Sequence, residues 1–331
     1  MEKNYYIFEN GELTRKDNTL YVVTDDDKVP LPVKKVGSLH LMGQLDFNTR
    51  FFSFLSQEET PAHYYNWFDR YAGSFYPQEF LNSGRILVNQ VRHYDDRENR
   101  MDIAQEIVWA ATDNMLENLR YYERKGKDVS ATIDEVTTLQ EQINDSTTPD
   151  ELRGIEGRIR KLYYGTFSTL LRGNFVLEQR TKQPPGNEVN ALISFGNSLL
   201  YATTLTELYK THLNPTISYL HQPRERRFSL SLDISEVFKP VIVDRVIFTL
   251  VNRQRIQIDD FRRDMDGCLL TEEGRKEFVR AYEDRLETTV EHPTLNKNVS
   301  HQRLLRLEGY KLVKHVSDDD TYKGYQMPAR A

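Results

Sequence analysis

The sequence predicts an α+β protein, with a small β-rich N-terminal domain followed by an all-α helical domain. Three observations carry this. Short aromatic and β-branched runs, split by turn signals, fill about the first 75 residues. The texture changes near Pro77. From Ser83 onward, apolar residues recur at helical spacing almost throughout. The division expected is a β-rich domain over 1–77, a linker over 78–84 and a helical domain over 85–331.

In order, Tyr5–Phe8 reads as a strand, and Asn10-Gly11 after it is a turn signal. Thr19–Thr24 is a second strand, closed by three aspartates. Val29–Val33 contains Pro30 and Pro32, so it can only lie at an edge or in an extended segment, because proline donates nothing to a ladder. Ser38–Met42 is a further short run. Phe47–Leu55 is expected to be a short helix capped by Asp46. Ala72-Gly73-Ser74 is expected to turn within an aromatic cluster, Tyr64 to Tyr76.

Ile103, Ile107, Ala111, Met115 and Leu119 share one helical face, which predicts a long helix over about 100–124. Residues 128–148 are polar and suit a helix plus a loop. Thr148-Pro149-Asp150-Glu151 is a well-marked helix start, with a capping residue, a proline at the first position and a capping-box acid. That helix runs to about Leu171. Val189–Lys210 and Val241–Val251 are apolar enough to be buried helices. Glu272–Glu291 is amphipathic, and His301–Lys314 is the last helix, followed by a tail expected to be loose.

The bulk numbers exclude some classes. Length suggests about two domains. No apolar run approaches the roughly 20 residues of a membrane span, and the N-terminus lacks a signal-peptide core, so a cytoplasmic protein is expected. Cys268 is the single cysteine, which rules out an internal disulfide and a cysteine-based zinc site; a structural role is expected for it. The net charge of −6 argues against coating nucleic acid non-specifically, but leaves room for a local basic groove. Phosphate-loop, dinucleotide and Gly-x-Ser-x-Gly motifs are absent.

One stretch concentrates chemistry. His221 closes an apolar run, Arg224, Arg226 and Arg227 follow, and an alternating segment leads into Asp233 and Glu236. Imidazole and carboxylates suit a divalent ion such as Mn²⁺ or Mg²⁺, and arginines suit phosphates. A plainer reading stands beside it: Asp233 and Glu236 as a capping pair at a helix start, His221 as a core histidine, and the arginines as a solvated face. Glu156 is the other oddity. It lies between Gly154 and Gly157 inside a helix, which suits either a close-approaching backbone or ligand, or a kinked surface helix.

Taken together, these stretches resemble the CRISPR-associated integrase of spacer acquisition, the first-numbered Cas family. Leu152–Gly157 with Tyr163-Tyr164 resembles one of its motifs, and Pro184-Pro185 with Val189–Tyr201 a second. Leu220-His221, Ser229-Leu230, Leu232–Ile234, Glu236 and Phe238–Pro240 resemble a third. The tail Tyr325–Arg330 is a faint echo of a fourth.

The resemblance implies metal-dependent phosphoryl transfer on double-stranded or branched DNA, inserting short foreign segments into the CRISPR array. It implies a homodimer, with the β-rich domain as the expected contact, working with a small second Cas protein. It assigns Glu156, His221 and Glu236 as catalytic metal ligands for Mn²⁺ or Mg²⁺, with Asp233 as an assisting acid. Arg224, Arg226 and Arg227, and beyond them Arg245 and Arg253, are the expected phosphate contacts. Arg160, Ser218 and Glu188 depart from the family pattern, where a small residue, a glycine and an aspartate are usual. These departures and the acidic charge leave a second reading open, a non-catalytic DNA-binding or assembly subunit; and since histidine and carboxylates alone do not name the substrate, a metallohydrolase acting on a small phosphoester is a third.

Overall fold

The computed structural model describes residues 3–16, 19–25, 27–31, 36–77, 81–181, 184–223, 228–264, 267–292 and 296–328. The chain divides into two units, Met1–Phe80 and Leu81–Ala331.

The first unit holds two four-stranded sheets. β1 (Lys3–Ile7), β2 (Gly11–Lys16), β3 (Thr19–Val23), β4 (Lys28–Leu31), β5 (Val36–Leu41) and β6 (Leu45–Phe47) lead into helix α1 (Thr49–Gln57), then β7 (Ala62–Tyr65) and β8 (Tyr71–Phe75). One sheet has the order β1-β5-β7-β8, the other β4-β3-β2-β6. β5, buried at every position, runs parallel to both its neighbours. Pro30 does lie on an edge strand, β4. The core gathers Leu13, Leu20 and Leu39 from the sheets with Phe51, Phe54 and Leu55 from α1.

Two local expectations are corrected here. Asp46 belongs to strand β6, and the cap of α1 is Asn48, whose side chain accepts from the Arg50 N–H at 3.0 Å. Ala72-Gly73-Ser74 is not a turn but the middle of β8, paired with β7. The reversal is made by Asn66 to Arg70, with Asp69 in the left-handed region at φ 55°. A Cβ at Gly73 would meet the far end of the Tyr64 ring, its hydroxyl at 2.3 Å, so that exposed ring would have to swing aside.

The second unit is a helical assembly with two small ribbons. Its helices begin with α2 (Gly84–Asp95), α3 (Arg97–Glu123), α4 (Ser130–Glu141), α5 (Pro149–Gly165), α6 (Phe167–Leu170), α7 (Glu188–Tyr209) and α8 (Ser229–Phe238). A π-helical turn, Lys239–Val243, joins α8 to α9 (Asp244–Asn252). Then come the hairpin β9 (Phe261–Asp264) and β10 (Gly267–Leu270), α10 (Glu272–Glu287), the hairpin β11 (Thr289–His292) and β12 (Lys297–Ser300), and α11 (His301–Val316). The hairpins add strands to a domain expected to be wholly helical. α3 is the axis of this unit: Ile103, Ile107, Ala111, Met115 and Leu119 are all buried.

Three starts and stops matter for the site. α5 opens with the expected capping box: Thr148 Oγ1 accepts from the Glu151 N–H, and Glu151 accepts from the Thr148 N–H. Thr148→Ala is expected to cost about 1 kcal/mol, read as a lower urea midpoint. α8 begins at Ser229 and not at Asp233, because Ser229, Leu230 and Ser231 are already helical and buried. The tail is not loose: Tyr322, Tyr325 and Met327 are buried, and Asn114 of α3 bonds both the Tyr325 carbonyl at 2.8 Å and the Met327 N–H at 2.7 Å.

A candidate active site of two glutamates and a clamped histidine

α5 turns Leu152, Ile155 and Ile159 inward and leaves Glu156 and Arg160 on a half-buried flank, one helical turn apart. Arg160 Nε donates to Glu156 Oε1 at 2.5 Å. Its Nη2 donates to Glu236 Oε2, a residue 76 positions away on α8. One guanidinium therefore joins the two glutamates. On its other oxygen Glu236 accepts from Lys239 Nζ at 2.5 Å. Burial alone would raise the Glu236 pKa, but Arg160 and Lys239 outweigh it and hold the carboxyl at about 2. Burial pulls the Lys239 ammonium below its ordinary value.

The histidine is held by Asp233. Inside α8 this aspartate is fully buried, and its carboxylate accepts from the backbone N–H groups of Tyr219 at 2.7 Å, Leu220 at 3.1 Å and His221 at 3.0 Å. Asp233 Oδ1 also lies 2.7 Å from His221 Nδ1. Ser218 Oγ donates to the His221 carbonyl, and Arg100 Nε to the Tyr219 carbonyl. The ring is thus fixed through Nδ1, and among the described residues Nε2 is left for other work. Burial pulls the His221 pKa down, but the Asp233 bond and charge, with the Glu236 charge, outweigh this and raise it above 6.5. The capping reading of Asp233 falls away, since it lies inside the helix.

Behind these groups, Tyr163 Oη donates to Asp244 Oδ2 at 3.0 Å, and burial lifts the Asp244 pKa to about 7. Asn118 Nδ2 donates to Tyr163 Oη and to the Pro240 carbonyl in the π-turn, both at 2.9 Å. Such widened turns recur next to functional groups, and this one starts at Lys239.

Among the described residues, no three His, Cys, Asp or Glu side chains are arranged to hold a metal ion. The structure joins Glu156 and Glu236 through Arg160, and brings His221 to Asp233 with Glu236 in electrostatic range. Arg224, Arg226 and Arg227 lie outside the described residues. Arg245 and Arg253 line a separate cleft that contains none of the three candidate ligands. At Gly154 and Gly157, an added Cβ would meet nothing within 4 Å among the described residues, so no backbone crowds Glu156. Cys268 is buried, and burial pushes its thiol up to about 11, in keeping with a structural role. Sequence reasoning missed Arg160 and Lys239 as parts of the site. The signal was their spacing, four after Glu156 and three after Glu236.

Fold and site together define a two-unit α+β protein with a polar, glutamate- and histidine-lined site in its helical unit. The sequence profile described as CRISPR associated protein Cas1 matches residues 5–284. A CRISPR-associated endonuclease Cas1 from Fusobacterium nucleatum is 44% identical over 99% of this chain and 97% of its own. A CAS1 protein structure from Thermotoga maritima superposes with a TM-score of 0.89 at 39% identity, covering 98% of this chain and 100% of that one. A casposase bound to its integration product shares the fold, with a TM-score of 0.89 at 17% identity over 100% and 95%. The chain belongs to the Cas1 family.

Proposed function

We propose that Glu156, His221 and Glu236 are the divalent-metal site of this Cas1-family endonuclease and integrase of CRISPR adaptation. The observation that carries it is the pairing of two buried-side glutamates on one cation with a histidine clamped through Nδ1. The donor set fits a hard or borderline dication: one imidazole nitrogen and two carboxylates. The positive charge now held there by Arg160 and Lys239 marks where the protein stabilises cations. Bound Mn²⁺ or Mg²⁺ would supply charge stabilisation at the attacked phosphate and activate a 3′-hydroxyl or water.

The chain's own groups do the rest. Asp233 fixes the tautomer and direction of His221, the usual role of a carboxylate behind a ligating histidine. Lys239 and Arg160 keep Glu236 ionised at any pH above about 2. Were those carboxylates to hold a metal, Arg160 and Lys239 would be free to meet phosphate oxygens. The substrate is double-stranded or branched DNA. The working form is a homodimer joined through the β-rich unit over 1–77, separated by the 78–84 linker from the catalytic domain, and acting with a small second Cas protein in the cytoplasm. Among the described residues no helix is long and apolar enough to cross a membrane.

The test is His221→Ala, assayed by Mn²⁺ calorimetry and by cleavage of branched DNA. Loss of an outer partner alone costs roughly 10–100-fold in metal affinity or activity, so loss of a ligand is expected to cost at least that. Full retention of both would refute the assignment. DNA binding indifferent to chelator, with no cutting or joining by the wild type, would favour the assembly-subunit reading.

A further inference from the structure

We infer that the cleft between the end of α3, the end of α6 and α9 is a second phosphate-binding site, taking the backbone of a single DNA strand. The cleft measures about 510 Å³. Its lining includes six cations, Lys125, Lys127, Arg172, Arg245, Arg253 and Arg285, and no acid among the described residues. In a chain with 50 acidic and 44 basic residues, that segregation is a local reversal of the overall charge.

The cations are positioned, not merely clustered. Arg245 is 8% exposed, with its guanidinium carbon 5.0 Å from the Tyr121 ring centre, and Lys125 Nζ lies 5.8 Å from the same ring. Lys127 Nζ donates to the Thr169 carbonyl at 2.6 Å. Arg285 grips the Val241 carbonyl through Nε at 2.9 Å and Nη2 at 2.6 Å. Asn252 Nδ2 donates to Tyr122 Oη and to the Leu170 carbonyl, both at 3.1 Å, so it ties the walls together.

Six cations spread along four elements, with Arg285 coming from α10, exceed what one phosphate can neutralise. They suit a polyanion with regularly spaced charges, and a nucleic-acid strand carries one per about 3.4 Å. Tyr121, Tyr122 and Phe248 line the cleft beside the cations, and unpaired bases stack on such rings, which favours a single strand over a duplex. Its place is informative too. Asp244 and Arg245 are neighbours at the start of α9: Asp244 meets Tyr163 behind the candidate active site, while Arg245 faces the cleft. A strand held here would lie about 100° round that helix start from Asp244, the turn between consecutive helical residues. The identity of the strand as DNA rests on the proposed function; the phosphate chemistry does not.

The experiment measures binding of a fluorescent, mixed-sequence single-stranded DNA to the full chain in EDTA, across a salt series. Working without metal keeps a failed metal site from affecting the result. Lys125→Glu/Arg253→Glu, both exposed, is expected to weaken binding at least tenfold and to lower the slope of log affinity against log salt by about 1.4, two contacts at roughly 0.7 each. The charge-matched control Arg92→Glu/Arg303→Glu is expected to stay within about twofold of wild type, on the view that non-specific phosphate contacts act where the cations are. Should the double variant not fold, Arg172→Glu alone is read the same way, with half the slope change. Unchanged binding in the cleft variants, or an equal loss in the control, would overturn the site. Displacement of the oligonucleotide by ATP at matched phosphate concentration would overturn the strand in favour of a free nucleotide.

Discussion

Glu236→Ala is expected to lower the unfolding free energy by about 3–5 kcal/mol, the cost of removing one partner from a buried ion pair. Arg160 and Lys239 would both lose a partner, and their side chains are only 15% and 16% exposed. The loss is expected to shrink at alkaline pH, because Lys239, already pulled below its ordinary pKa, can shed its proton. The acid limb carries a second signature. Glu236 is depressed from 4.5 to about 2, so its ionisation contributes stability that is complete above about 4.5 and disappears as pH falls through 2. The variant is expected to lack that segment of the acid transition. Urea unfolding followed by circular dichroism between pH 2 and 7 checks both points. An unshifted midpoint at neutral pH would mean that the two cations find solvent instead.

Asp233→Ala is expected to be of similar size, about 3 kcal/mol or more, since three backbone donors and an imidazole would lose one shared acceptor. Its functional effect differs in kind. Without Asp233 the His221 ring is free to turn, and the raised pKa falls to or below its ordinary 6.5. The sign follows from the shift. The His221–Asp233 bond stabilises the fold fully below the unfolded pKa, and that contribution is lost as pH rises through the raised folded value. Histidine proton resonances tracked against pH in the wild type and in Asp233→Asn measure it. If both titrate alike, Asp233 does not hold the ring.

How much of this was legible depended on distance along the chain. The start of α5 was readable because a capping box is complete within four residues. Pro30 at an edge and the buried face of α3 follow from rules as local. The α8 start was misjudged because Ser229 and Ser231 look polar. In the fold both are buried, and Ser229 Oγ satisfies itself on the Thr216 carbonyl. Arg160 resembled a mismatch with the family pattern because its second partner lies on another helix. The two hairpins escaped notice because strands of four residues carry almost no periodicity. Fold class and helix order were open to reading. Which acid clamps and which faces outward was set by tertiary contacts.

Asn114 has a consequence for biosynthesis. Its amide donates to the Val237 carbonyl, next to Glu236, and to the Tyr325 carbonyl, while its oxygen receives the Met327 N–H. The helix that carries Glu236 and Asp233 is therefore braced by residues more than 200 positions beyond Asn114. On the ribosome, α3 and α8 emerge long before that brace exists. The site is expected to pass through a half-supported stage and to reach its final rigidity only as residues 325–327 clear the exit tunnel, a late, non-local closure of the kind that slows folding.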